Sequence, residues 1–428
     1  MRSWPDRGLR RALLAYRALM WLLLPAILLY LRKRGRADPL YAARLRERFG
    51  RYDAPLPGAV WVHAVSMGEM RSAVPMIRAL LDRGEQIVTT HFTPAGLREA
   101  ERAFGPEIAA GRLRAVWVPL EHGRCWDRFL DAFRPRFGLV MEIEIWPRMI
   151  AVCARRGVPI YLCNAQYPEK SFEKDGRGEG LRARVVAGFA GAFVKSQLQA
   201  DRFAATGLRD IEITGEHRFD QPIPQAQVAA ADALRDELRR GRPALTLTSV
   251  VEGEDATYIE MIRATPGTVF VYVPRAPERF DEVAGLLSEA GLRVARRSEV
   301  LDEGLRPKAP IDCDVLLGDS MGEMYFYMAL SDRALVGGGF VPKGAHNVIE
   351  PLALKKPVLV GPHVWTIEYP IREAAAAGVA RVLDTPEELH AAVAEASAVT
   401  EGQIDAFYEA HAGAVARTLS ALEARGLL

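Results

Sequence analysis

Acidic residues stand at two places where an apolar strand gives way to a helix. VWVHAVSMGE at 60–69 reads as a strand ending at Ser66 and a helix beginning near Gly68, with Glu69 on the helix's first turn. MEIEIWP at 141–147 puts Glu142 and Glu144 at the end of another apolar strand, two residues apart and so on one face of it. A carboxylate there costs desolvation unless it is paired or reaches a cleft. Glu69 suits a general base facing a cleft, with Gly68 letting a substrate approach the backbone. It equally suits the positive end of the helix dipole. Glu142 and Glu144 suit hydrogen-bond partners of a substrate, or a cap on the helix after Pro147. TGEHRFD at 214–220 adds Arg218, a cation able to face an anion, on what also reads as a solvated loop.

A second set lies further along the chain. VGGGFVPKGAHNVIEP at 336–351 runs from a strand through Gly337, Gly338 and Gly339, then Gly344, into a helix. Glycines before a helix amino end present backbone N–H groups to a phosphate, and Glu350 one turn in suits ribose hydroxyls. VPRAPERF at 273–280 places Arg275 at a strand end as an anion or base contact. GDSMGEM at 318–324 offers the backbone of Met321 and Gly322 to a base edge. All three sit at carboxyl ends of strands, which favours a nucleotide-sugar site. The glycine run is neither a Walker loop nor GxGxxG, and GxSxG is absent. The eight histidines are scattered, and no HxxxH or DxD-like pair lies at a strand end, so no metal is expected.

The elements that must position these residues alternate. Apolar runs fall at 60–65, 86–90, 113–118, 137–143, 158–163 and 192–195, with helical stretches such as 70–81, 95–104 and 146–156 between them. A second series has strands at 244–249, 268–273, 313–317, 334–336 and 357–360 and helices at 278–290, 322–331, 347–354 and 386–396. Strand–helix alternation with strands apolar on both sides predicts two doubly wound parallel sheets, with ligand in the cleft between them. The expected domains are 1–38 (anchor or interfacial helix), 39–221, a linker at 222–242 holding Pro222 and Pro224 and then an Ala-rich polar helix, 243–402, and a helix over 403–428. At 428 residues and about 150 per domain, two or three domains fit.

Lys plus Arg number 56 against 54 Asp plus Glu, so bulk charge holds no nucleic acid to this chain. Cys125, Cys153, Cys163 and Cys313 form no CxxC pair, as expected of a reduced, cytosol-facing protein. ALMWLLLPAILLYL at 18–31 is free of charge, with arginines before it and Arg32, Lys33, Arg34 and Arg36 after it. It is too short alone for a span, which needs about 20 residues, and no small-residue cleavage site follows. A short span, an interfacial helix on anionic lipid and a buried helix of the main domain are the three readings.

Together these motifs resemble the 3-deoxy-D-manno-octulosonate (Kdo) transferases of lipopolysaccharide assembly. The resemblance rests on HAVSMGE at 63–69, TTHFTPAG at 89–96, MEIEIWP at 141–147, TGEHRFD at 214–220, VPRAPERF at 273–280, DSMGEM at 319–324, GGGFVPKGAHNVIEP at 337–351 and VLVGPH at 358–363. It implies an α/β glycosyltransferase-B fold of two Rossmann-like domains facing a central cleft, with an N-terminal membrane-associated helix. It implies CMP-Kdo as donor and a lipid A precursor as acceptor, at the cytoplasmic side of the inner membrane, with inversion and no metal or cofactor. Glu69 would be the base, and Glu142 and Arg218 transition-state stabilisers. CMP contacts would come from Pro274, Arg275, Met321, Gly322, Glu323, Asn347, Val348, Ile349 and Glu350. Arg218 stands where the family has lysine, Val251 and Ala276 where it has histidines, and NAQYPEKS at 164–171 and Gly344–Ala345 also depart from its pattern. A nucleotide-sugar epimerase of the same architecture, a paralogue with altered donor or acceptor, and a non-catalytic sugar-nucleotide or lipid binder are the alternatives.

Overall fold

The computed structural model describes residues 4–428. They form two compact units: one runs to Gln221 and resumes at Ala412–Leu428, the other is Pro222–His411.

The first unit is built on seven strands: β1 (Val60–His63), β2 (Ile87–His91), β3 (Leu113–Trp117), β4 (Gly138–Met141), β5 (Ile160–Ala165), β6 (Gly191–Val194) and β7 (Ile211–Ile213). Their order is β3-β2-β1-β4-β5-β6-β7, every pair parallel. Side chains alternate between two cores, as the period of two requires. Val60, Val62, Leu139 and Met141 pack with Met70, Met76, Ile77 and Leu80 on one face. Trp61, Val140 and Leu162 pack with Trp126, Phe129 and Phe133 on the other. The three-residue edge strand β7 has no apolar run long enough to mark it in the sequence.

The second unit repeats the plan: β8 (Ala244–Val250), β9 (Val269–Pro274), β10 (Val294–Arg296), β11 (Val315–Leu317), β12 (Arg333–Val336), β13 (Val358–Val360) and β14 (Ala380–Val382). Their order is β10-β11-β9-β8-β12-β13-β14, again all parallel.

Residues 222–242, read as a linker with an Ala-rich polar helix, hold the helix Gln225–Arg239. It buries Ala231, Leu234 and Leu238, a stripe at helical spacing, in one core with Phe326 and Tyr327. Residues 403–428 hold parts of two helices, Glu401–His411 in the second unit and Ala414–Ala424 in the first. The latter is anchored by Asp220, whose carboxylate accepts from the amides of Gly413 (2.6 Å) and Val415 (2.7 Å), and by Leu422 in the first core.

The N-terminal helix spans Arg7–Ala37, far beyond the charge-free run. Asp6 caps it by accepting from the Leu9 amide at 2.9 Å. The helix is long and apolar enough to cross a bilayer, and its most apolar 18 residues are 6% buried. Leu14, Leu19, Trp21, Leu22, Leu23, Leu29 and Tyr30 are exposed, which replaces the buried-helix reading.

Candidate active site

Glu69 is set by its own helix. Ser66 starts the helix Met67–Asp82 with a capping box. Ser66 Oγ accepts from the Glu69 amide at 3.3 Å, and Glu69 Oε2 accepts from the amides of Ser66 (3.2 Å) and Val65 (2.5 Å). The same side chain bonds Glu144, whose Oε2 accepts from Trp146 Nε1 at 2.6 Å. Burial first, then the charges of Glu144 and Glu142, push Glu69 well above the usual carboxylate range, against the pull of the two amides. Burial raises Glu144 as well. The pair therefore holds a shared proton at pH values where isolated carboxyls have lost theirs.

Glu142 and Glu144 do not share a strand face. β4 stops at Met141, and Glu142 has a left-handed backbone, φ 58°. That turn sends Glu142 to Lys195 and Asn164 while Glu144 goes to Glu69. Neither caps the following helix, Pro147–Arg156. Glu121 does: its oxygens accept from the amides of Arg148 (2.8 Å) and Met149 (3.0 Å), with Trp126 Nε1 at 3.0 Å. Burial pushes Glu121 up to about 7.

Arg218 lies in a short 3-10 turn, His217–Asp220. Its Nε donates to Ser72 Oγ at 2.9 Å, and its amide to Glu216 Oε1 at 3.3 Å. Ser72 is three residues beyond Glu69 on one helix, so Arg218 is tied to the helix that carries the base candidate. Behind them lies a cluster that the motifs did not single out. Lys195 Nζ donates to Glu142 (2.9 and 3.1 Å), Glu216 (2.6 Å) and Gln166 (3.2 Å). Asn164 Nδ2 donates to Glu142 (3.2 Å) and Glu216 (2.8 Å). A lysine directly after the apolar strand AFV was the available signal.

In the second unit, Pro274 closes β9 and is buried, while Arg275 beside it is exposed. Burial, then the Arg275 charge, holds His346 down to about 4, which leaves it neutral. Met321 is exposed, and the Gly322 carbonyl accepts from Gln227 Nε2 at 2.8 Å. Glu323 is committed to Arg297 through two bonds of 2.7 Å and to Ser320. Val348 and Ile349 are buried, while Asn347 and Glu350 are half-buried. Asn347 Oδ1 accepts from the Ile349 amide at 2.9 Å.

The glycine run works differently from the expected phosphate cradle. The amides of Gly338 (2.8 Å) and Phe340 (3.1 Å) donate to Glu254, a fully buried carboxylate that also takes the Val251 amide and the Tyr258 hydroxyl. A Cβ on Gly337 would lie 2.6 Å from the Ser249 carbonyl oxygen, and one on Gly339 2.6 Å from the Gly361 nitrogen. These glycines serve backbone packing around the buried Glu254 side chain. The helix after them, Ile349–Ala353, is too short to add much dipole.

Two parallel sheets, each with candidate residues at its carboxyl end, define the two-domain architecture of the glycosyltransferase-B class. A UDP-GlcNAc 2-epimerase from Neisseria meningitidis shares this fold, with TM-score 0.52 and 13% identity over 85% of this chain and 99% of that one. The family model for 3-deoxy-D-manno-octulosonic-acid transferase (kdotransferase) matches residues 43–221. A 3-deoxy-D-manno-octulosonic acid transferase from Bordetella pertussis is 40% identical over 94% of this chain and 96% of its own length. One from Haemophilus influenzae is 31% identical over 88% and 89%. The chain belongs to the 3-deoxy-D-manno-octulosonic acid (Kdo) transferase family, which is a family of glycosyltransferases. The likeness to the epimerase is one of fold alone.

Proposed function

We propose that this protein transfers Kdo from CMP-Kdo to a lipid A precursor, with inversion and without a metal, at the cytoplasmic side of the inner membrane. The observation that carries this reading is Glu69 at the carboxyl end of β1, its proton affinity raised by burial and by Glu144. A sugar hydroxyl is a poor nucleophile until its proton has somewhere to go. Glu69 takes that proton as the hydroxyl oxygen bonds to the anomeric carbon of Kdo, an effect of about 10²–10⁴-fold. The bond from that carbon to the CMP phosphate breaks, and CMP leaves as an anion. Glu142 and Arg218 act on the charge that develops in the transition state. Pro274, Arg275, Met321, Gly322, Glu323, Asn347, Val348, Ile349 and Glu350 form the donor site. Arg275 is its cation, and Glu323 acts from its fixed pairing with Arg297.

The acceptor's acyl chains explain the N-terminal helix, which lies in the membrane interface. Contacts with its own unit run along its length: Leu9 and Leu13 in the core, Tyr16 on Glu121, Trp21 edge-on to His122 with ring centroids 4.0 Å apart, and Arg34 on Tyr41 at 3.0 Å. Such a helix presents its opposite apolar side to lipid while its arginines meet anionic headgroups.

The test is incubation of full-length protein with CMP-Kdo and a tetraacylated lipid A precursor, followed by acceptor mass. A gain of one or more Kdo units is expected, and its number counts the additions. CMP-Kdo binding without a mass gain would overturn the transferase reading.

A further inference from the structure

Lys195 follows β6 and is almost wholly buried, its side chain 3% exposed. Its three ammonium protons meet four acceptors: both oxygens of Glu142, one of Glu216 and the Gln166 side-chain oxygen. Glu216 is equally buried at 2%, whereas Glu142, at 22%, reaches the surface of the site. Asn164 joins the two carboxylates through one amide nitrogen, and its Oδ1 is held by the His217 amide at 2.9 Å. Glu142 and Asn164 both have left-handed backbones, φ 58° and 53°. Such residues persist only where their surroundings over-determine them. An ion pair that merely filled the core would have no need of a carboxylate facing outward. Here every fixed group converges on the one carboxylate that does.

We infer that Lys195 is a positioning residue for the transferase: backed by Glu216, it fixes the orientation of Glu142 without touching substrate. This rests on the proposed role of Glu142. The groups facing Glu142 are Lys195 after β6, Asn164 and Cys163 on β5, and Glu69 on the helix after β1. Glu216 and Arg218, after β7, act on it through Lys195. Burial opposes the charge on Lys195, but Glu142 and Glu216 outweigh it and hold the ammonium protonated.

The experiment measures kcat and KM for CMP release by full-length Lys195→Met, the charge-balanced Lys195→Met/Glu216→Gln, and Glu142→Gln, each with a thermal melt. For Lys195→Met we expect kcat to fall about 10²-fold with KM for CMP-Kdo little changed, the size of a small misplacement. The double variant leaves Glu216 with no unpaired buried charge and carries the test if Lys195→Met does not fold. It recovers the melting temperature but not kcat. Either variant, folded and with the wild-type kcat, overturns the inference. If Glu142→Gln loses turnover while the Lys195 variants do not, only the role of Lys195 falls. If Glu142→Gln keeps the wild-type rate, the reading of Glu142 falls first.

Discussion

The helix duty of Glu69 and its proposed duty as the base can be separated. At the N3 position of a capping box it supports its helix, and the proposed mechanism has it take a proton. Glutamine fills the same capping position. Glu69→Gln is therefore expected to melt no lower than the wild type yet to lose turnover by about 10²–10⁴-fold. Equal losses of melting temperature and activity would assign Glu69 to the helix alone. The proton affinity of Glu69 gives a second expectation. Activity needs the base ionised, so kcat/KM rises with pH through a region above the ordinary carboxylate value of 4.5. Glu144→Gln removes a charge that raises Glu69, so the acid limb moves to lower pH. An unmoved limb would detach Glu144 from the base. The linkage sign agrees with this picture. A carboxyl raised in the folded state contributes stability below 4.5 and loses it as pH rises through the raised value. The melting temperature of Glu69→Gln should gain on the wild type across that interval.

The loop after β12 shows how an element can mislead when read as a motif. Three glycines before a helix look like a phosphate cradle, but Gly338 and Phe340 give their amides to buried Glu254, and Gly339 lies against the backbone of Gly361. Backbone cannot move aside as the end of a flexible side chain can. Gly339→Ala is expected to destabilise the protein by about 1–3 kcal/mol in denaturant unfolding. It should also weaken CMP binding by calorimetry, because the same loop carries Asn347 through Glu350. Unchanged stability would mean that the β12 and β13 loops can part without cost.

At the scale of the whole molecule, the proposed membrane contact rests on the helix Arg7–Ala37. Its core contacts hold it to the first unit, and its exposed leucines leave apolar surface with no protein partner among the described residues. Full-length protein is expected to sediment with vesicles containing anionic phospholipid and to be partly released by salt. Leu22→Glu/Leu29→Glu should largely abolish sedimentation, since two charges replace apolar side chains on the face offered to lipid. These positions are 77% and 68% exposed, so folding is little affected. Vesicle binding unchanged by both charges would place the membrane contact elsewhere.

The sequence alone determined the class of fold, because strands apolar on both faces and alternating with helices admit few structures. Its motifs determined the family, since several blocks in one order leave little room for coincidence. It also brought out Glu69 and Glu142, because a charged residue where an apolar strand ends stands out against its neighbours, whereas Arg218 stood out only through the resemblance of its block. What it could not supply was pairing. Lys195 and Glu216 lie 21 residues apart, on the far ends of β6 and β7, and only the parallel register brings them within 2.6 Å. The left-handed turn at Glu142, which parts it from Glu144, depends on its amide bonding to Cys163 of the neighbouring strand at 3.0 Å. The apolar stripe of Gln225–Arg239 became legible as core only once Phe326 and Tyr327 stood against it. Local pattern reports which face of an element is apolar. Which charge meets which, and which backbone leaves no room for a Cβ, is decided by the packing of elements distant in the chain.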